Sequence, residues 1–328
     1  MNKKILITGA NGFLGSSIVK LALKKKYKVN VLVRNNTDLT NLEQIKSKIN
    51  FFYGDLKDIK SLDKPIRDSD VVFHVAADYK LWTKDPRSIY DSNVRGTENI
   101  CLKVLEHKKY IVYTSSVATL GIETGKISDE ETSVSFDDMI GDYKKSKYLA
   151  ERIVMKFIKK KKIQGFIVNP STPIGPGDIK PTPTGKIIFD VLAGKMPAYV
   201  DTGLNIVHVD DVAEGHFLAL KHGKIGEKYI LGGENMNFKD FLDYISEFGD
   251  KPKITLQLNP KYLIPLAYFN EILHRFFNNK TPSLTVEGLK MSRKKMFFSS
   301  DKAKKNLNYR PRSAKSAIKD AVEWFNKF

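Results

Sequence analysis

The chain has 328 residues, 41% of them apolar, with 55 basic side chains against 37 acidic ones and a single cysteine. That length fills a large core and suits two lobes, and the mixed composition excludes a disordered or fibrous chain. No stretch supplies the ~18 unbroken apolar residues of a membrane helix, the apolar run at 5–7 is too short for a secretory leader, and the lone Cys101 allows neither an intrachain disulfide nor a cysteine metal site.

A cytoplasmic protein without a transmembrane segment is the expectation. The net charge of +18 raises nucleic acid as a partner, but the positions of the lysines argue against it. Residues 24–26, 108–109 and 159–162 are lysine clusters, each just before an apolar β-type run. That places them at helix C-termini, where cations offset the macrodipole. A lysine-rich surface is the plain reading; a basic face that recruits an acidic substrate or lipid headgroups is the alternative.

In chain order, β-branched runs at 4–8, 28–33, 50–53, 71–75, 110–115 and 165–169 alternate with amphipathic stretches at 13–25, 95–106 and 143–158. Strands rich in Val and Ile without alternation are buried on both faces. Alternating strands and helices imply an α/β fold with a Rossmann-type, doubly wound parallel sheet. Five prolines and three glycines between 170 and 185 mark a loop and a crossing into a smaller, mostly helical lobe. Residues 228–231 form one more strand, and 235–300 are mostly helical. The predicted division is 1–169 with 204–233 for a dinucleotide-binding domain and 170–203 with 234–328 for a substrate lobe. Leu263, Leu266, Phe269, Leu273 and Phe276 recur at helical spacing. They fit a core helix of the small lobe or an apolar wall over a lipophilic substrate.

The segment 5–15, ILITGANGFLG, places Gly9, Gly12 and Gly15 directly after a strand and before a helix. This is the context a dinucleotide site requires. Gly9 permits the tight turn, Gly12 the approach of a pyrophosphate, and Gly15 the packing of helix on strand. The helix N-terminus then offers its unpaired N–H groups to phosphate. At the end of the second strand an NAD site usually carries an acid for the ribose hydroxyl. Arg34 stands there instead, and a guanidinium pairs with a 2′-phosphate. NADP(H) is therefore favoured over NAD(H); otherwise Arg34 is a solvated loop residue. Asp55 either accepts from the adenine amino group or caps a helix.

Tyr143 and Lys147, four apart in YKKSK, share one helix face. An adjacent ammonium and a positive nicotinamide favour the phenolate, which makes a tyrosine useful as a general acid/base. Ser115 and Ser116 end the fifth strand, at the carboxyl edge where open sheets bind ligands. Asn93 either completes a proton relay to Lys147 or caps a helix.

These motifs, with HVAA at 74–77, NVRGTEN at 93–99, YTSS at 113–116, NPSTPIGP at 169–176 and HVDDVA at 208–213, resemble the extended short-chain dehydrogenase/reductase family over essentially the whole chain. Within it the chain is similar to dihydroflavonol-4-reductase-like proteins and to the hopanoid-associated sugar epimerase branch. The resemblance implies Tyr143 as general acid/base, Lys147 as the group that lowers its pKa and holds the nicotinamide ribose, Ser116 as the group that orients the reacting oxygen, and Asn93 in support. It implies that Asn11, Phe13, Leu14, Leu56, Ala76, Ala77, Pro170 and Thr172 border the cofactor. Tyr79, Trp82, Thr119, Asp178, Lys180 and Thr182 flank the matched motifs and are candidate substrate contacts. Tyr79 and Trp82 would suit an amphiphilic or ring-bearing small molecule. Nucleotide-sugar relatives often carry an arginine four residues before the histidine of HVDDV; here that residue is Leu204.

The expected activity is NADP(H)-dependent hydride transfer to or from a secondary alcohol or ketone. A sugar epimerase using the same Tyr-Lys-Ser group is the second reading, and a non-catalytic NADPH sensor or scaffold the third. No metal is expected. The residues do not give the oligomeric state; the resemblance allows a homodimer, since family members are often dimers.

Overall fold

The computed structural model describes residues 3–79, 85–123, 125–277 and 285–327. Its strands are β1 (Lys4–Thr8), β2 (Lys28–Val33), β3 (Asn50–Tyr53), β4 (Val71–His74), β5 (Tyr110–Thr114) and β6 (Gln164–Pro170). Then come β7 (Thr172–Ile174), β8 (Tyr199–Val200), β9 (Gly203–His208), β10 (Lys228–Leu231), β11 (Glu234–Asn237) and β12 (Gln257–Leu258). The helices begin with α1 (Phe13–Lys24), α2 (Asp63–Arg67), α3 (Arg87–Tyr90), α4 (Gly96–Glu106), α5 (Gly141–Lys161) and α6 (Pro183–Leu192). They continue with α7 (Val209–His222), α8 (Phe238–Gly249), α9 (Pro260–Phe277), α10 (Val286–Ser292), α11 (Asp301–Leu307) and α12 (Ala314–Phe325).

Seven strands make one parallel sheet in the order β10-β6-β5-β4-β1-β2-β3. Period-2 alternation explains why its strands read as continuous apolar runs. Ile5 and Ile7 of β1 point into one core with Ile18 of α1 and Phe217 of α7. Leu6, between them, points into the opposite core with Ile100 and Val104 of α4 and Val154 of α5. The chain winds outward from β1 in both directions. The strand order therefore reverses between β1 and β4, and a crevice opens there at the carboxyl edge of the sheet.

A third core joins α6, α8 and α12 around Ile188, Phe241, Leu242, Ile245, Ile318 and Phe325. The three-stranded sheet β11-β9-β7 borders it. The 170–185 segment expected to be a loop includes β7 and the first turn of α6, where Pro183 is pre-shaped for the helix and Thr182 Oγ1 accepts from Gly185 N. Among its described residues the segment 235–300 holds three helices, with β12 among them. One part of the expected small lobe packs elsewhere: Ala303, Leu307 and Tyr309 join the core of the large sheet beside Val212 and Tyr229.

The lysine clusters fall at helix ends as expected. Lys24 closes α1, and Lys162 caps α5 in the left-handed region at φ 61°. The stretch 263–277 lies in helix α9; none of its described residues lines the cleft, Ala267 is buried in a small core with α10, and the side chain of Phe276 lies outside the described residues. Leu266, Phe269 and Leu273 face solvent, and only the helix's other side, with Leu263, Ile264 and Ala267, packs on α10. Among the described residues no helix is long and apolar enough to cross a membrane.

Candidate active site

The crevice is a cleft of about 760 Å³ whose walls are mainly apolar. Its floor is the turn from β1 to α1. Gly9 adopts φ +68°, and a Cβ there would stand 2.7 Å from the Ala76 backbone. At Gly15 a Cβ would stand 2.0 Å from the Gly9 carbonyl oxygen, so only glycine lets α1 lie on this turn. Helix α1 begins without a side-chain cap and without an acid in its first turn. Gly9, Asn11, Gly12, Phe13, Leu14 and Gly15 all line the cleft. Uncapped N–H groups at a helix start, with no competing carboxylate, fit a pyrophosphate.

The second loop is tied to this floor. Asn11 Nδ2 donates to Thr37 Oγ1 at 3.0 Å and to the Asp38 carbonyl at 3.1 Å. Arg34, at the end of β2, is exposed on the cleft lining and has no ion-pair partner among the described residues. Asp55 and Leu56 line the same end. The Asp55 carboxylate accepts from Lys57 N at 2.9 Å, a capping-type turn that still leaves it on the cleft. Thr8 Oγ1 accepts from the N–H groups of Val75 and Ala76, both at 3.2 Å, and so clamps the segment after β4, with Ala76 and Ala77, against β1. His74 bridges Thr8 and Thr97 at 2.8 and 3.0 Å. Complete burial pushes it down to about 3, so it stays a neutral latch.

At the inner end α5 presents Tyr143 and Lys147, both buried. Lys147 Nζ donates to Tyr113 Oη at 3.1 Å and to the Thr114 carbonyl at 2.8 Å. Burial pushes its ammonium down to about 8, against the pull of Glu151. Burial, then the neighbouring Tyr79 and Tyr113, hold the Tyr143 phenol well above its ordinary value, while a hydrogen bond with Ser116 works the other way. The phenol is therefore protonated at neutral pH, with Ser116 beside it. The two serines thus separate. Both line the cleft, but Ser115 Oγ donates to Glu151 Oε2 at 2.5 Å, while Ser116 Oγ accepts from Ala118 N at 3.1 Å and acts on the tyrosine.

Asn93 is not an N-cap; it lies within a single π turn, residues 91–95, before α4. Its Oδ1 accepts from Asp78 N at 2.7 Å, and its Nδ2 donates to the Asp78 carbonyl and to Ser146 Oγ, both at 3.0 Å. Ser146 Oγ in turn donates to the Tyr143 carbonyl at 2.8 Å. Asn93 therefore locks the 75–79 segment onto α5 and makes no direct bond to Lys147.

Pro170, Thr172 and Tyr79 line the cleft. Three expected substrate contacts, Thr119, Asp178 and Lys180, do not. Thr119 is buried, donating to Glu151 Oε2 at 2.7 Å and to the Ser116 carbonyl at 2.8 Å. Asp178 is buried under α6, where its carboxylate accepts from Thr182 N at 2.9 Å and from Thr182 Oγ1 at 2.7 Å. Both serve the scaffold. Of their neighbours, Thr182 lines the cleft, while Lys180 pairs with Asp38 at 3.7 Å. Trp82 lies outside the described residues.

Leu204 apart, the structure adds groups the motifs did not single out. Ile187, Val200, Leu204, Phe238, Met291 and Met296 form an apolar wall opposite the sheet. Lys144 is buried on the lining and pushed down to about 8 by burial and by Lys294. Its signal was local, a second lysine beside the tyrosine; the wall comes from five separate elements and the segment after α10, and only Leu204 in it had one.

Comparison with known proteins agrees with this geometry. A Synechocystis sp. protein named "Putative dihydroflavonol 4-reductase" is 40% identical, over 97% of this chain and 93% of its own. The crystal structure of gox2253 is 48% identical, covers 99% of this chain and 98% of that one, and superposes with a TM-score of 0.88. Sterol demethylase protein B of Methylococcus capsulatus is 28% identical over 98% of both chains. The NAD dependent epimerase/dehydratase family matches residues 5–232. The chain belongs to that family, the extended short-chain dehydrogenases/reductases, and is an enzyme of the oxidoreductase or epimerase type.

Proposed function

We propose that this chain is an NADP(H)-dependent oxidoreductase that reduces a bulky, largely apolar ketone to a secondary alcohol, or runs that reaction in reverse. The observation that carries the reading is Arg34. It is an exposed guanidinium on the cleft lining without an ion-pair partner among the described residues, at the position where an NAD site carries an acid. A 2′-phosphate supplies the bidentate partner it lacks.

Residues 9–15 would hold the pyrophosphate, Asp55 and Leu56 would border the adenine, and Ala76, Ala77, Pro170 and Thr172 the nicotinamide half. When bound, the reduced nicotinamide supplies the hydride. The protein's own residues handle the proton. Tyr143 Oη donates to the carbonyl oxygen, which leaves a phenolate in place of a phenol. Ser116 Oγ holds that oxygen in line. The Lys147 ammonium stabilises the resulting negative charge, and proton loss from it restores the phenol. A tyrosine kept protonated by burial is the form that reduction consumes.

The substrate class is supported by the apolar wall and by Leu204 on it, where nucleotide-sugar relatives often carry an arginine. A diphosphate would be desolvated there without a partner. The relatives named for a dihydroflavonol and a sterol suit a ring-bearing or amphiphilic small molecule. The lobe division is also our reading: residues 1–169 and 204–233, together with α11, serve the cofactor, and the α6–α8–α12 core carries the substrate wall.

The test is product stoichiometry. With NADPH and a panel of bulky cyclic ketones, one NADPH is consumed for each alcohol formed. The epimerase reading, favoured by the family's composition, predicts interconverted sugars and unchanged cofactor.

A further inference from the structure

Helix α9 carries an exposed apolar face. Among the described residues, fourteen large apolar side chains are strongly exposed, and six of them lie on this one helix: Tyr262, Leu266, Tyr268, Phe269, Ile272 and Leu273. Tyr262 is 83% exposed, Phe269 59% and Leu266 56%. At about 100° per residue, positions 262, 266, 269 and 273 form one stripe. The acid of the helix, Glu271, turns inward instead, and its Oε1 accepts from Val286 N at 2.8 Å. The inner side already packs on α10 through Leu263, Ile264 and Ala267. A helix apolar on both sides needs a cover on each.

The charge of the segment that carries this face, with Lys261 on α9 itself and Lys290 on the α10 that packs against it, selects the cover. Residues 251–300 carry nine Lys/Arg against two Asp/Glu. Lys251, Lys253, Lys261, Lys290 and Arg293 are exposed. A second copy seated on the same face would bring two such basic segments together and be repelled. An anionic bilayer surface complements both features: basic groups meet headgroups, tyrosines sit at headgroup level, and Leu and Phe enter the acyl boundary. The helix is too short in apolar run to span, so it lies on the surface.

We infer that α9 is a membrane-surface docking helix that seats this enzyme on anionic lipid. Its partner α10 contributes Gly288, Met291 and Ser292 to the cleft lining, so docking sets the cleft wall beside the bilayer, where an amphiphilic substrate concentrates. The inference rests on the surface alone and stands whether or not the reductase reading does.

The experiment is vesicle flotation of the full chain. It uses phosphatidylcholine vesicles with and without about 30% phosphatidylglycerol, at low salt and at ~0.5 M salt. The wild type floats with the anionic vesicles and much less with neutral ones. A Leu266→Glu/Phe269→Glu variant loses at least about tenfold of that binding. So does Lys253→Glu/Lys261→Glu, which leaves the apolar stripe intact. NADPH affinity and melting temperature stay unchanged, since all four side chains are exposed. Wild-type protein that fails to float with anionic vesicles overturns the inference. So does a dimer in light scattering that the Leu266→Glu/Phe269→Glu variant dissolves, which would make the face a contact between copies.

Discussion

The rings of Tyr79 and Tyr143 stand edge to face, with centroids 4.3 Å apart and planes at 87°. Tyr79 thereby shields the phenol from water on the side open to the cleft. Such a pair contributes about 1 kcal/mol beyond its burial. Tyr79→Phe keeps the contact and is expected to turn over within about twofold of wild type. Tyr79→Ala removes it and is expected to lower kcat roughly tenfold with little change in NADPH affinity. Steady-state kinetics beside a cofactor titration separates the two effects.

Under the proposed mechanism, Tyr143→Phe removes only the proton that the phenol would donate. Turnover is expected to fall by about 10³-fold, with NADPH binding changed less than about threefold. If turnover survives, a different acid is at work. If a biological role persists in cells carrying the inert variant, the protein acts as a sensor rather than a catalyst.

Lys147 gives a pH signature with opposite signs for rate and stability. Its folded pKa is about 8, against ~10.4 for a free lysine. Below pH 8 the ammonium is charged in both states, which would serve the proposed catalysis and costs folding energy. Above pH 8 the folded protein sheds the proton while the unfolded chain keeps it, so stability rises with pH until the unfolded value is reached. The rate of reduction is expected to fall through an apparent pKa near 8. Over the same interval wild type is expected to gain stability relative to Lys147→Met. Kinetics and denaturant melts from pH 7 to 9.5 check both, and a rate that is flat across the interval contradicts the assignment.

Asp178 gives a second sign. Burial raises its carboxyl to about 6, against ~3.9 unfolded, although the bonds from Thr182 pull it down. The folded state holds the proton more tightly between those values. This contribution is therefore fully present below pH 4 and lost as pH rises through 6. Asn at 178 pays no charge-burial cost. Its melting temperature relative to wild type is expected to be higher at pH 7.5 than at pH 4.5. Equal differences at both pH values would mean that the carboxylate is not desolvated.

The legible parts of the site are those whose chemistry is local in sequence. The turn at 9–15 needs its glycines for contacts within a few residues, and Tyr143 and Lys147 share a face by helical spacing alone. Alternating runs were enough to read the parallel sheet. Thr119 and Asp178 misled because both stand beside motif residues. What buries them is tertiary: Glu151, 32 residues away, claims Thr119, and α6 closes over Asp178. Asn93 was read as a relay or a cap, but its partners, Asp78 and Ser146, lie 15 and 53 residues away. The periodicity of α9 was visible, but periodicity reports that an apolar face exists and not whether the fold covers it.

The central claim is cofactor choice, and a fluorescence titration of the cofactor-stripped protein with NADPH and, separately, NADH tests it most directly. The account predicts NADPH binding on the order of 100-fold tighter, about 2.7 kcal/mol. It predicts that Arg34→Ala abolishes most of this preference and leaves NADH affinity unchanged. Equal affinities, tighter NADH binding, or a cofactor that cannot be stripped would contradict it and move the epimerase reading to first place.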